Sequence, residues 1–550
     1  MRKGYIQAAS VLAAALMLLS ACSAPGTEGT TETAKQTEKA EENRGPACAF
    51  ETADSGEMSA DNSLLPKTLK DLPEAAEDEV RAFMEDSDEN TVLVDARAEE
   101  FYSGWGEGDG KSGGHLKNAV LFSSRWLDCP YSGKAERKAY LDRSMQEQGI
   151  IKGKKLIVYD RSGEEAKRAA NYFLSEGIEN IAIFHADGIL EEGKNESYPG
   201  HEHFVPAALV KSVSDVKTGA AQKLSAEAEL VFGTDPSKII LIDVGWGNAE
   251  ESTYLSKGHV PGAVHINTDS YERPRVYVPE KRSDYAKEWR LISLPEFRDS
   301  LCPQYGIRKD SVVILTGDAT DPQARLGFLL RSLGVKVYVM SGKLSAWTYA
   351  AYPLDKGSDS LVIPSSAEDF GSDQIENPGE IIWMDEVKRI LSGEEEGQIV
   401  DNRSEKEWKG EYSGYDYHDL AGRIDKTIWC LENEEKAGEF FENVDGTPRT
   451  QAELRAYMEK SGIDTGKTTA FFCGDSWGAA KIAYWCQAVG LENIKEWGEG
   501  WIPWSNLGNE FIDHSGRKVH YEKYRDTVLD EDGKDVRDGV NILDSAGKKD

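Results

Sequence analysis

Cys473 stands in Phe471-Phe472-Cys473-Gly474-Asp475-Ser476-Trp477-Gly478-Ala479-Ala480. An apolar run ends at the cysteine, a short loop follows, and a helical pattern begins at Lys481-Ile482-Ala483-Tyr484-Trp485. This layout predicts a thiol facing the backbone N–H groups of Gly474, Asp475, Ser476, Trp477, Gly478 and Ala479 at a helix N-terminus. Such a setting favours the thiolate and cradles an anion. Gly474 and Gly478 let the backbone curl around it. The chemistry expected is nucleophilic catalysis through sulfur in two covalent steps.

The elements that must position this loop occur three times. Each copy opens with a β-branched run ending in Asp: Thr91 to Asp95, Ile239 to Asp243, and Gln398 to Asp401. Such runs fit strands buried on both faces of a parallel sheet. A turn follows: Gly114-His115-Leu116-Lys117-Asn118-Ala119, then Gly258-His259-Val260-Pro261-Gly262-Ala263, then the drifted Gly422-Arg423-Ile424-Asp425-Lys426-Thr427. A second buried strand comes next (Lys155 to Tyr159, Ser311 to Leu315, Thr468 to Phe472), then a loop and a helix closed by Gly177, Gly334 or Gly490. A last strand completes each copy. Strands alternating with helices predict an α/β fold, a mostly parallel sheet with helices on both faces, and ligands at the carboxyl ends of the strands. Alignment on the capping glycines places Asp160 and Gly317 where Cys473 stands, so only the third copy has a sulfur nucleophile there.

The strand-end Asp, the Gly-His-Val-Pro-Gly-Ala-Val turn of the second copy and the cysteine loop together resemble the rhodanese (sulfurtransferase) family. The resemblance implies three tandem domains, roughly 66–205, 206–365 and 375–515, with a tail over 516–550. It implies a persulfide on Cys473, loaded by a thiosulfate- or 3-mercaptopyruvate-type donor and unloaded by a thiol or cyanide acceptor, with no cofactor. Arg403 and Lys409 match basic positions that the family places at the substrate, and Arg423 replaces the usual turn histidine; each can bind a carboxylate or sulfonate. Asp401 is expected to cap the loop, and His115 and His259 to bond their turns. Asp475 opposes a dianionic donor at close range and leaves the donor open. Cys486 reads as core; Cys430 either packs or resolves a persulfide. The competing reading is a binding or sulfur-sensing module without turnover. A phosphatase would need an Arg after the cysteine, and none occurs before Lys481.

Composition narrows the partners. The chain has 550 residues and a formal net charge of −33, which argues against nucleic acid. Arg2 and Lys3 followed by the apolar Ile6 to Leu19 predict a signal segment. Leu19-Ser20-Ala21-Cys22 resembles the lipoprotein lipobox, which implies a lipid on Cys22, a tether over 23–65 and an extracytoplasmic, membrane-anchored protein. The seven cysteines show no CxxC and no metal-ligand spacing, so neither a zinc site nor a disulfide scaffold is expected. A monomer is expected, because three domains supply contacts internally.

Overall fold

Three sheets form around the three Asp-terminated runs in a computed structural model that describes residues 63–108, 110–129, 134–274, 287–415, 417–430 and 440–537. The signal, Cys22 and tether expectations lie outside these residues. Among the described residues, no helix is long and apolar enough to cross a membrane.

The first sheet holds β1 (Thr91–Asp95), β2 (Val120–Leu121), β3 (Lys155–Asp160) and β4 (Ile181–His185), in the order β2-β1-β3-β4. A parallel bridge from Glu74 to Ile183 extends its β4 edge. The second sheet uses β5 (Phe204–Val205), β6 (Ile239–Gly245) and β7 (Val264–Asn267), is interrupted by the antiparallel ribbon β8 (Glu272–Arg273) and β9 (Arg290–Leu291), and resumes with β10 (Val312–Thr316) and β11 (Lys336–Met340). Its order is β5-β11-β10-β6-β7. The third contains β12 (Ile381–Ile382), β13 (Gln398–Asp401), β14 (Ile428–Trp429), β15 (Thr469–Phe472) and β16 (Ile494–Trp497), in the same order, β12-β16-β15-β13-β14. All pairings within these three sheets are parallel.

Register makes the three copies comparable residue by residue. Asp95 pairs with Tyr159, Asp243 with Thr316, and Asp401 with Phe472. The next residues, Asp160, Gly317 and Cys473, therefore occupy one structural position. Each opens a loop into a helix: α1 (Glu164–Ser175), α2 (Thr320–Ser332) and α3 (Trp477–Ala488).

A buried ion pair ties the first strand to the turn in copies one and three. Arg97 Nη2 donates to Asp95 Oδ2 at 2.6 Å and to the Gly114 carbonyl at 2.7 Å. Arg403 Nη2 does the same to Asp401 Oδ2 at 2.7 Å and the Gly422 carbonyl at 2.9 Å. The second copy lacks the arginine, and His265 Nδ1 meets Asp243 Oδ1 at 3.3 Å instead. His115 and His259 bond their turns as expected, through Nδ1 to the carbonyls of Tyr102 and Tyr254, and stack on those rings.

The second and third domains share one apolar core. Phe328 of α2 and Phe204 of β5 both meet the Tyr484 ring of α3 edge-on, at 5.4 and 5.5 Å. A segment of the third domain joins the first: Asp445 accepts from Trp126 Nε1 at 2.8 Å, and Arg449 Nε donates to the Tyr140 hydroxyl at 2.8 Å.

Two boundaries differ from expectation. Phe204–Val205 pairs with β11 and so belongs to the second sheet. The expected tail from 516 is folded through 537: β17 (Phe511–Ile512), β18 (Lys518–Glu522) and β19 (Thr527–Asp530) form an antiparallel sheet whose Val519, Tyr521 and Val528 enter the third core. The alternation in Lys518-Val519-His520-Tyr521-Glu522 is the signature of a half-buried strand. Fully burying each such side chain stabilises by about 1.5–3 kcal/mol. A chain ending at 515 is therefore expected to melt well below the full chain in a thermal denaturation scan; an unchanged melting temperature would contradict this assignment.

Candidate active site at the Cys473 loop

β15 is buried along its whole length and delivers Cys473 to the carboxyl edge of the third sheet, where 7% of the residue is exposed. The loop is held by its carbonyls. Trp501 N–H donates to the Cys473 carbonyl at 3.0 Å and Ile502 N–H to that of Gly474 at 2.9 Å. Gly500 makes this approach possible: its φ is +82°, and a β-carbon there would sit 2.8 Å from both the Cys473 carbonyl and Ser476 Oγ. Ser476, left-handed at φ 67°, turns the chain into α3.

With the carbonyls drawn to one side, the amides are left on the other. The first amide to reach a backbone carbonyl is that of Ala480, which donates to Ser476 at 2.9 Å; those of residues 474–479 reach none. The Asp475 carboxylate takes the Trp477 N–H, and the Cys473 thiol donates to Asp475 Oδ1 at 3.9 Å. A β-carbon on Gly474 would lie 1.7 Å from the Tyr415 hydroxyl, so that phenol rests directly on the loop.

The first copy shows what such a loop holds. Asp160, at the cysteine position, accepts the Gly163 amide on Oδ1, the Glu165 amide on Oδ2 at 2.9 Å and the Ser162 hydroxyl at 3.2 Å. Its carboxylate fills the cradle from within. In the second copy the position is closed: Gly317 has φ +142°, and a β-carbon there would lie 2.7 Å from the Val244 carbonyl.

The charge of Asp475 is answered from the second domain. Burial raises the Asp475 pKa, and the fully buried Arg325 of α2 opposes that rise. The same guanidinium reaches Glu496 Oε1 at 3.0 Å, the Gly498 carbonyl at 3.1 Å and Glu272 Oε1 at 3.6 Å. One cation thus pairs with two buried carboxyl groups and acts on the Asp475 carboxylate from further off. Burial pushes Glu272 up to about 7 and Glu496 up to about 8, with Arg325 opposing both.

Other candidate residues fall elsewhere. Arg403 is turned inward, 3% exposed, with its guanidinium 4.4 Å over Trp501. Its Nη1 alone has no hydrogen-bond partner among the described residues. Lys409 is an exposed surface residue paired with Glu405 at 2.6 Å, because both stand one turn apart on a solvent face. Arg423 stacks 5.0 Å over Trp408, taking the place that His115 and His259 hold on their tyrosines. Cys430 and Cys486 are fully buried in the apolar core, and burial raises the pKa of both thiols. Sequence reading missed Tyr415, Glu272, Arg325 and Gly500. The Gly498-Glu499-Gly500 punctuation between strand and helix was a local signal for the last; the others are remote in sequence.

Two outcomes are expected. Gly317→Cys has no room for its side chain, so it lowers the melting temperature and the variant takes up no sulfur at 317; a sulfur adduct there by peptide mass would contradict the closed second copy. Glu496 has a folded pKa of about 8 against an ordinary 4.5. Folding therefore takes up a proton in that window, and the stabilisation, full below the ordinary pKa, is lost as pH rises to about 8. Glu496→Gln should flatten the fall in melting temperature between about pH 4.5 and 8; an unchanged slope would contradict it.

A rhodanese-like domain model matches residues 77–191 and 227–350. Thiosulfate sulfurtransferase YnjE of Escherichia coli strain K12 is 24% identical over 76% of this chain and 88% of that protein. Sulfur carrier protein TtuD of Thermus thermophilus is 28% identical over 47% of this chain and 86% of its own length. Wild-type EanB superposes with a TM-score of 0.66 at 25% identity over 82% of this chain and 99% of that one. The anaerobic ergothioneine biosynthesis enzyme of Chlorobium limicola, bound to its natural substrate trimethyl histidine, gives a TM-score of 0.65 at 25% identity over 79% and 97%. A variant of EanB carrying a cysteine persulfide with ergothioneine matches equally well, with a TM-score of 0.65 at 25% identity over 79% and 97%. The matches identify rhodanese-like domains over residues 77–191 and 227–350, and the third sheet repeats the strand order of the second.

Proposed function

We propose that Cys473 is the sulfur-carrying nucleophile and that the first two copies carry no persulfide. The observation behind this is the pair of loops at one structural position: Asp160 saturates its cradle with its own carboxylate, whereas the amides around Cys473 reach no backbone carbonyl. A thiolate, and then the anionic persulfide, takes the place of that carboxylate.

The first step is attack of the Cys473 thiolate on the sulfur of the donor. With 3-mercaptopyruvate, the S–S bond forms as the C–S bond breaks, and the carbon leaves as the enolate of pyruvate, which takes a proton from water. A thiolate acceptor then attacks the outer sulfur and leaves Cys473 as the thiolate. Between the two steps the enzyme holds the sulfur alone, so ping-pong kinetics follow.

The reading favours a monoanionic donor. Asp475 and Glu272 stand near the loop and oppose a dianion, while Arg403 offers one unpaired N–H group, Nη1. In the first copy the matching Arg97 Nη1 holds Glu107 Oε1 at 2.9 Å, a carboxylate supplied by the chain. A substrate carboxylate at Arg403 would repeat that contact. The bound trimethyl histidine of the Chlorobium limicola enzyme extends the acceptor class under test to imidazoles as well as thiols. The signal and lipobox add the proposal of an extracytoplasmic, lipid-anchored enzyme acting as a monomer.

Intact mass after incubation with 3-mercaptopyruvate is expected to rise by one sulfur atom, faster than with thiosulfate, and not at all in Cys473→Ser. Arg403→Lys, which loses the fork, is expected to raise KM for the carboxylate donor about tenfold or more. No adduct from either donor would favour a binding module without turnover.

A further inference from the structure

We propose that the second domain is a working part of the Cys473 site, with Glu272 and Arg325 as positioning residues that fix Trp477 and set the charge balance around the thiol. The inference rests on Cys473 being the sulfur-carrying residue.

Geometry carries it. Glu272 lies on the ribbon β8, an excursion of the second domain away from its own sheet. Its two carboxylate oxygens accept two indole N–H groups: Trp477 Nε1 on Oε1 at 2.6 Å and Trp289 Nε1 on Oε2 at 3.0 Å. Trp477 is the first residue of α3, directly after the loop, so the bond to Glu272 anchors the helix N-terminus beside Cys473 to the second domain. Arg325, with its guanidinium 5.5 Å from the Trp289 ring, ties Glu272 to the β16 edge through Glu496 and the Gly498 carbonyl. Contact at that edge is tight: a β-carbon on Gly498 would lie 2.8 Å from Leu291 Cδ2 of β9. Glu272 thus reaches Trp477 at the third domain's loop, and Arg325 and Trp289 hold Glu272 in place.

The remaining charges near the loop are internally matched. Lys481 of α3 meets Asp321 of α2 at 2.9 Å and Glu442 at 3.4 Å. Arg403 pairs with Asp401, and Tyr415 contributes an un-ionised phenol whose pKa burial raises. Arg325 and Glu272 are therefore the second domain's means of shifting the potential at the thiol, in opposite senses.

The test is the pH dependence of Cys473 alkylation by iodoacetamide in the full chain, read by peptide mass. Arg325→Met removes a buried cation and should move the midpoint up by about one pH unit. Glu272→Gln keeps an acceptor for one indole, removes the negative charge, and should move the midpoint down. Arg325→Lys keeps the charge and should hold the midpoint near the parent's even if the rate falls. Shifts of opposite sign support the proposal; midpoints equal to the parent's, or both displaced the same way, overturn it. Sulfur loading of the parent chain is measured beside these. If the parent loads no sulfur while the midpoints still split, the sulfur-transfer reading fails and the positioning role stands.

Discussion

The constraint on which the structure turns is the set of backbone amides released where a buried parallel strand ends and a helix begins. Carbonyls at 473 and 474 are drawn to the amides of Trp501 and Ile502, and the N–H groups of the loop reach no backbone carbonyl, that of Trp477 turning to the Asp475 carboxylate. Such a ring requires an anion or water. The first copy meets the requirement with Asp160, and the second removes the cavity by bringing the Val244 carbonyl against Gly317. The third leaves a thiol in place. One fold position thus holds a carboxylate, a glycine and a thiol in the three copies.

That position needs rigid support, and most of the buried polar chemistry supplies it. The Asp–Arg pair that ties the first strand to the turn recurs in copies one and three with nearly equal distances. Buried ion pairs of this kind fix geometry more than they add stability. The interface between the second and third domains extends the same logic across the molecule. It combines an apolar core around Tyr484 with a cluster in which Arg325 faces Glu272, Glu496 and Asp475.

Much of this was legible in the sequence. Asp-terminated apolar runs and capping glycines placed the sheets, and the same glycines aligned Asp160, Gly317 and Cys473 as the strand register does. What was not legible depends on side-chain direction or on remote contacts. Arg423 carries charge at a suggestive position, but its guanidinium lies over a tryptophan ring. Glu272 and Trp477 are 205 residues apart, and no local pattern announces their hydrogen bond. The folded segment after 515 was written in its alternation and was masked by its high polar content.

The measurement closest to the central claim is a peptide mass map of the full chain after brief exposure to a sulfane-sulfur donor under anaerobic conditions. The account predicts one added sulfur on the peptide containing Cys473, none on those containing Cys430 or Cys486, and loss of that sulfur when a thiol acceptor is added. A sulfur carried on another cysteine, with Cys473 unmodified, would contradict it.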